Sequence, residues 1–164
     1  MKDIRLYEQI LEIERPWQVE RVSLNKERKE LEVEITFKVR FWACPECQER
    51  MHIHGYRRRR WRHLDSCQFK TIIKCDVPRV RCDVHGTQVV QVPWASKRSR
   101  FSLLFERFAI DVLQECCISA SCDLLRISWD EADGIKQRAV KRGLSLKDAK
   151  VCPYLGVDEK SFGR

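Results

Sequence analysis

Two segments near the start of the chain alternate apolar and polar residues. They are "QVERVSL" at 18–24 and "ELEVEITFKV" at 30–39, and the alternating apolar residues of the second are Leu31, Val33, Ile35, Phe37 and Val39. A period of two predicts strands with one buried face, and the polar "NKERKE" between them predicts a hairpin loop. The preceding "IRLYEQILEIE" predicts a short helix that is ended by Pro16. We therefore expect a helix followed by an antiparallel ribbon.

Two longer strands are predicted between Cys44 and His85, at "HGYRRRRWRHL" and "FKTIIKCDV". Alternation in the second strand places Cys75 on the same face as its apolar residues, and so in the core. The segment "VPWASKRSR" that follows predicts an extended linker, because Pro93 fixes its own φ and biases Val92 away from helix.

Helical spacing begins at Phe101 and lasts four turns. Its apolar stripe is Phe101, Leu104, Phe105, Phe108, Val112, Leu113 and Cys116. A second, shorter helix would hold Leu124 and Leu125. A third is predicted to open at Ser128, because Glu131 three residues later completes a capping box. Its expected buried residues are Ala132, Ile135 and Ala139.

The predicted second and third helices are separated by a tight turn around Ile127, and Gly143 is placed to end the third. These proportions are typical of a helix-turn-helix. On its outer face the third helix offers Gln137, Arg138 and Lys141 as candidates for contacting bases, since Gln pairs with adenine and Arg with guanine. The acids near its start favour the helix dipole but repel phosphates, so a purely structural three-helix module is the alternative.

The positive charge of the chain is concentrated in one segment. The 164 residues carry a net charge of +8, and residues 50–100 alone contain thirteen Lys and Arg against three acids. Such a concentrated basic segment predicts a polyanion partner. Nine cysteines with no secretory signal, and no apolar run of about 18 residues, predict a reduced, cytoplasmic setting without membrane contact. No dinucleotide, Walker or G-x-S-x-G motif indicates another enzyme class.

Within the basic segment, "YRRRRWRH" concentrates the arginines. They are Arg57, Arg58, Arg59, Arg60 and Arg62. On a strand, Arg58, Arg60 and Arg62 would share one face, and Arg57, Arg59 and Trp61 the other. Guanidinium groups bind phosphate oxygens, so we expect contacts to a nucleic-acid backbone. Trp61 is expected to anchor the module.

Four soft ligands form the pattern C-x2-C-x34-C-x2-H. They are Cys44, Cys47, Cys82 and His85. Each pair predicts a tight knuckle, and four such ligands satisfy the tetrahedral preference of a structural Zn²⁺. The alternative is that Cys44 and Cys47 are a redox pair or simply buried. The reserve ligands are Cys67, Cys75, His52, His54 and His63.

The motifs "ACPEC", "HGYRRRRWRHLD", "RVRCDVHGTQVVQVPWA", "CDLLRISWDEADGIKQRAVKRGL" and "YLGVDEKSFGR" together define a resemblance. From about Trp17 onward the chain resembles the amino-terminal part of bacterial ISL3-family insertion-sequence transposases. The resemblance implies a zinc-binding module, a helix-turn-helix over 119–143 and the first strand of an RNase H-like catalytic domain. In it, the zinc ligands match Cys44, Cys47, Cys82 and His85, and the first catalytic acid matches Asp158.

The second Asp and the Glu of the family's catalytic triad have no counterpart in the 164 residues. The resemblance therefore implies a truncated transposase. Two-metal phosphodiester chemistry needs several carboxylates to hold Mg²⁺, which only a full-length relative would bind. We expect no strand cleavage from this chain alone.

The expected fold is α+β: a small β-rich zinc-ribbon-like module followed by a helical helix-turn-helix module. The expected domains are 1–40 (helix and ribbon), 41–98 (zinc-binding), 99–146 (helix-turn-helix) and 147–164 (start of the catalytic domain). The resemblance implies recognition of terminal inverted repeats in double-stranded DNA, with a second copy or a full-length transposase as further partner. The alternative is a free-standing zinc-ribbon regulator or adaptor that binds RNA or protein.

Overall fold

The computed structural model describes residues 2–147, which build one six-stranded sheet and four helices. The helices are α1 (Lys2–Ile10), α2 (Leu103–Glu115), α3 (Ile118–Leu125) and α4 (Trp129–Ser145). The strands are β1 (Trp17–Asn25), β2 (Glu30–Phe37), β3 (Phe41–Ala43), β4 (Arg50–Arg62), β5 (Lys70–Cys82) and β6 (Gly86–Val89). The α+β class is confirmed. No helix within these residues is long and apolar enough to cross a membrane.

The first two strands form the antiparallel ribbon that the alternation predicts. β1 pairs with β2 from Trp17 opposite Phe37 onward. The residues of β2 that are buried are Leu31, Val33 and Ile35. The predicted helix ahead of the ribbon is present, although it ends at Ile10. It is tied to β1 because the backbone N–H of Val19 donates to the carboxylate of Glu8 at 3.0 Å.

The sheet continues across the predicted boundary at residues 40/41. Its strand order is β1-β2-β5-β4-β3, with β6 also paired to β5. β2 lies parallel to β5, with Glu30 opposite Lys70 and Ile35 opposite Cys75. The inward residues of both strands therefore share one buried face, and the ribbon and the zinc-binding segment have one common hydrophobic core. The division into four domains stays a prediction.

The segment predicted as an extended linker is part of this core. Val92, Trp94 and Ala95 are all buried. The ring of Trp94 lies 5.1 Å from that of Trp17 and 5.5 Å from that of Trp61, both edge-on. Edge-on aromatic pairs contribute about 0.5–1.5 kcal/mol beyond the area they bury. The linker prediction was wrong because the apolar residues of this segment follow neither helix nor strand spacing. Their side chains nevertheless fill the space between the sheet and the helices.

Helix α2 buries a narrower face than its apolar stripe predicts. Phe105 and Ala109 are buried, whereas Leu104 and Phe108 are 40% and 48% exposed. The fully buried position beside Phe105 belongs instead to Glu106. The predicted stripe was based on apolar residues alone. The ion pairs described below also help to determine which face of α2 packs against the other helices.

The last two helices form the predicted helix-turn-helix. The capping box at the start of α4 is confirmed, since Ser128 accepts from the N–H of Glu131, and the Glu131 carboxylate accepts from the N–H of Ser128. Ile135 is fully buried against α2 and α3. Gly143 does not end the helix, which continues to Ser145.

Strand β4 is joined to helix α2 by paired backbone. The N–H of Arg62 donates to the carbonyl of Arg100 at 2.8 Å, and that of Ser102 donates to the carbonyl of Arg62 at 2.9 Å. Beside this junction, Nδ1 of buried His63 lies 2.8 Å from the hydroxyl of Ser102, the N-cap of α2. Burial, and then the charge of Arg62, lowers the pKa of His63 to about 4. His63 is therefore neutral in the folded protein at pH 7.

Acid should destabilise the protein through His63. Because its pKa of about 4 lies below the ordinary 6.5, the unfolded state binds the proton first. The stability contributed by neutral His63 is complete above pH 6.5 and is lost as the pH falls toward 4. Between pH 6.5 and 4.5, we expect the free energy of unfolding to fall about 2 kcal/mol further in the parent than in His63→Gln.

Urea unfolding at a series of pH values measures this difference. The other titrating groups are common to both proteins and cancel. Parallel stability curves for the two proteins would contradict the assignment of a depressed His63 pKa.

Candidate metal centre and nucleic-acid interface

The four predicted zinc ligands come together at one end of the sheet. Cys44 and Cys47 lie in the turn between β3 and β4, while Cys82 ends β5 and His85 precedes β6. The antiparallel pairing of β4 with β5 brings these two turns side by side. The four donor atoms all lie within 4.8 Å of one another.

The distances between donors fit a tetrahedral zinc ion. With Zn–S of about 2.3 Å and Zn–N of about 2.0 Å, the edges of the tetrahedron are about 3.8 Å for S···S and about 3.5 Å for S···N. The Sγ atoms of Cys47 and Cys82 are 3.7 Å apart. Nδ1 of His85 lies 3.4 Å from Sγ of Cys82 and 4.0 Å from Sγ of Cys44. The cysteines are free thiols, so the cluster is not a disulfide.

Both turns have the same backbone shape. Gln48 follows the second ligand of the first turn with φ 62°, and Gly86 follows that of the other turn with φ 67°. The first turn is closed by the N–H of Gln48, which donates to the carbonyl of Cys44 at 2.9 Å. The backbone N–H groups of Cys47, and then of Glu46, lower the pKa of the Cys44 thiol to about 7. The thiolate of Cys44 is thus favoured before any ion binds, whereas burial and the neighbouring thiols of Cys44 and Cys82 raise the pKa of Cys47.

The reserve ligands lie outside this cluster in the described part of the chain. Burial in the sheet raises the pKa of Cys75 to about 12. Nδ1 of His63 lies within hydrogen-bonding distance of the Ser102 hydroxyl. The other three reserve ligands, which also lie outside the cluster, are Cys67, His52 and His54.

The arginines of β4 alternate between faces as predicted, but they differ in their surroundings. On one face, Trp61 is fully buried and the guanidinium of Arg59 lies 4.8 Å from the centre of its ring. Arg59 also donates to the carbonyl of Ser99 at 2.8 Å. On the other face, Arg58 lies opposite Asp76. The strand therefore does not present five equivalent cations.

The side chain of Arg62 is largely enclosed. Its side chain is 10% exposed and forms an ion pair with Asp65. The guanidinium lies 5.2 Å from the centre of the Phe105 ring. Burial, and then the charge of Arg126, lowers its pKa to about 10. In this structure Arg62 joins the sheet to α2, since the strand ends where α2 packs against it. Its predicted contact with phosphate stays a prediction.

Arg138 is also turned inward. Its Nε donates to Oε1 of Glu106 on α2 at 2.7 Å, and Arg142 donates to Oε2 at 2.8 Å. The hydroxyl of Ser99 donates to Oε1 at 2.7 Å. Arg138 thus holds α4 against α2 in this structure, and its predicted contact with guanine stays a prediction. A fully buried carboxylate needs such partners, because an unpaired buried charge is very costly.

The role of Glu106 was not predicted from the sequence. The signal was an acid inside the apolar stripe of α2, together with two arginines four residues apart on the third helix, Arg138 and Arg142. Residues four apart lie on the same face of a helix, so both arginines can pair with a single carboxylate.

Gln137 and Lys141 lie on the exposed face of α4, as predicted. The acids around them are largely engaged. Asp133 pairs with Lys136 at 3.1 Å and accepts from Gln137. Glu131 closes the capping box. Among the described residues this leaves Asp130 as the acid at the start of α4 without an ion pair, so repulsion of phosphates is weaker than composition suggests.

We expect one zinc ion per chain, held by the cysteine and histidine cluster. Cys47→Ser should abolish zinc binding and unfold this end of the sheet, because the ion supplies about 10 kcal/mol or more in small zinc modules. Metal analysis and thermal unfolding test this. Cys67→Ser, at an exposed thiol outside the cluster, is the control and should keep both zinc and stability. Zinc-free parent protein, or equal loss in the control, would exclude the site.

Glu106→Gln should lower the free energy of unfolding by about 3 kcal/mol, because it removes the charge that two arginines share. Glu115→Gln, at an exposed position of the same helix, should change stability by no more than about 0.5 kcal/mol. Denaturant unfolding compares the two variants. A Glu106→Gln protein as stable as the parent would remove the ion-pair cluster from the account.

Two family models match this chain. One describes the zinc-finger of transposases IS204/IS1001/IS1096/IS1165 and covers residues 40–85. The other describes the helix-turn-helix domain of transposase family ISL3 and covers residues 90–140. The first range contains the metal-ligand cluster, and the second contains α2, α3 and most of α4.

Curated relatives point the same way. The transposases for insertion sequence element IS1557 of Mycobacterium tuberculosis strains CDC 1551 and H37Rv are each 25% identical to the chain over 178 residues. The match covers 100% of this chain and 39% of each relative. No solved structure shows a significant match. The chain therefore carries the zinc-finger and helix-turn-helix domains of ISL3-family transposases.

Proposed function

We propose that this protein recognises the terminal inverted repeats of an insertion sequence, with α4 in the major groove of duplex DNA. The observation that carries the proposal is the separation of the two faces of α4. One face is fixed to α2 through Ile135 and the Glu106 ion pairs. The other presents Gln137 and Lys141 to solvent. A recognition helix needs both a rigid support and a free polar face.

Helix α4 carries further exposed groups suited to a groove along its length. Trp129 and Val140 are 58% and 55% exposed. Apolar atoms contact thymine methyl groups, and an amide such as that of Gln137 pairs with adenine. Gln137 now donates to Asp133, so DNA would have to replace that hydrogen bond. Arg138 has no part in base contacts in this proposal.

In the same proposal, Cys44, Cys47, Cys82 and His85 hold a structural zinc ion. An ion bound there keeps two turns of the sheet together and leaves no position for a substrate. The cluster supports β4 and β5, and β4 in turn joins α2. The metal therefore contributes to DNA binding through the shape of the sheet.

The catalytic role of the family remains a separate proposal. The chain spans about two fifths of the length of the curated relatives. Asp158 lies outside the described residues, and its assignment as the first catalytic acid rests on the resemblance of "YLGVDEKSFGR" alone. Strand cleavage and joining with Mg²⁺ are proposed for full-length relatives only.

Fluorescence anisotropy with a terminal-repeat duplex and a scrambled duplex tests the DNA-binding proposal. We expect tighter binding to the repeat, and Gln137→Ala should cost about 1–3 kcal/mol on the repeat but little on the scrambled duplex. Gln114→Ala, the same change at an exposed position of α2, should leave both affinities unchanged. Equal affinity of the parent for the two duplexes would refute specific recognition and leave a general nucleic-acid binder.

A further inference from the structure

A groove of about 740 Å³ runs between β4 and the segment that follows β5. Its walls are the arginine stretch of β4 on one side and residues 87–98 on the other. The basic residues on its walls and at its end are Arg57, Arg58, Arg59, Arg60, Lys97, Arg98 and Arg100. The last three lie in the segment that was predicted to be a linker, so their position beside the arginine strand was not predicted.

Arg57, Arg58, Arg59 and Arg60 all line the groove, but alternation along β4 gives them different surroundings. Trp61 faces the core, so Arg57 and Arg59 share its side, and Arg58 and Arg60 face away. The side that faces away also carries acids. Asp76 lies opposite Arg58. Glu32 forms an ion pair with Lys74, the residue opposite Arg60. The acids therefore partly balance the positive charge of that face.

The groove lacks such balance. Glu46 is the one acid among the described residues that line it, and it lies 3.5 Å from Lys97 with both side chains exposed. Arg59 is held in place by the Ser99 carbonyl and the Trp61 ring. Burial, and then the neighbouring charge of Arg57, lowers its pKa. A bound anion would relieve that repulsion.

Arg98 is held toward the groove at some conformational cost. Its backbone φ is 65°, a region that costs a residue with a side chain about 1–2 kcal/mol. The turn is closed by the N–H of Ser99, which donates to the carbonyl of Ser96 at 3.0 Å. Arg98 forms no ion pair with any described residue, so its charge is free for a ligand.

The groove leads to the start of α4. Arg100 lines the groove, and its guanidinium also lies 3.7 Å from the carboxylate of Glu131 in the first turn of α4. In a helix-turn-helix complex the N-terminal residues of the recognition helix contact bases, and phosphates run past on either side. The groove is thus placed where the DNA backbone leaves the recognition helix.

We propose that this groove binds the sugar-phosphate backbone of the duplex next to the bases contacted by α4, through Arg57, Lys97 and Arg98. The inference rests on the proposed DNA-binding function and adds the location of the backbone contacts. Three neutralised phosphates release their condensed counterions, so they set much of the salt dependence of binding but carry no base preference.

The test is the triple variant Arg57→Gln, Lys97→Gln, Arg98→Gln. The logarithmic salt slope of duplex binding should become shallower by about 2 to 3, since each phosphate contributes about 0.9. Affinity near 0.1 M salt should fall roughly a hundredfold, equally for the repeat and the scrambled duplex. The control is Arg5→Gln, Lys26→Gln, Arg28→Gln, which removes the same net charge at exposed positions that do not line the groove.

Two further measurements guard against loss of folding. Zinc content and thermal unfolding should match the parent in both triple variants. Arg57→Lys with Arg98→Lys should keep the salt slope, because counterion release depends on charge.

The outcomes separate the two proposals. An unchanged slope in the groove variant, or an equal change in the control, would overturn the groove assignment even if the parent prefers the repeat. A shallower slope in the groove variant alone, with no preference of the parent for the repeat, would support the groove and refute specific recognition. Failure of the parent to bind any duplex would overturn both.

Discussion

The pairing of β4 with β5 is the interaction on which the other features depend. These thirteen-residue strands are the longest in the sheet. At one end they bring Cys47 within reach of Cys82, and at the other they deliver Arg62 to the backbone of α2. Between the two ends, the same pairing orders the arginines on alternate faces. A slip of one residue would exchange the inward and outward side chains and disrupt all three features together.

The second constraint is the buried carboxylate of Glu106. It connects Ser99, at the edge of the sheet, to two arginines of α4. Arg59 on β4 donates to the carbonyl of the same Ser99. A continuous chain of hydrogen bonds therefore runs from the arginine strand to α4. Such a connection fixes the orientation of β4 relative to α4, the two elements proposed to contact DNA, which a flexible linker could not do.

Local patterns were predicted well from the sequence. The ribbon follows from period-two alternation, the start of α4 follows from Ser128 and Glu131, and the two knuckles follow from their paired ligands. Each depends on residues a few positions apart. The parallel pairing of β2 with β5, the burial of Trp94 and the inward turn of Arg138 were not predicted. Each depends on contacts between residues that are distant in the sequence, and such contacts leave no local hydrophobic pattern from which they could be predicted.

The parallel pairing of β2 with β5 also has a consequence for how the chain is made. Ile35 pairs with Cys75, which lies forty residues later in the sequence. During synthesis on the ribosome, the hairpin of β1 and β2 has an uncovered apolar edge until β5 emerges. High contact order of this kind slows folding and favours aggregation of nascent chains. Expression of this protein in soluble form should therefore be limited by the pace of synthesis and by chaperones more than by the final stability of the sheet.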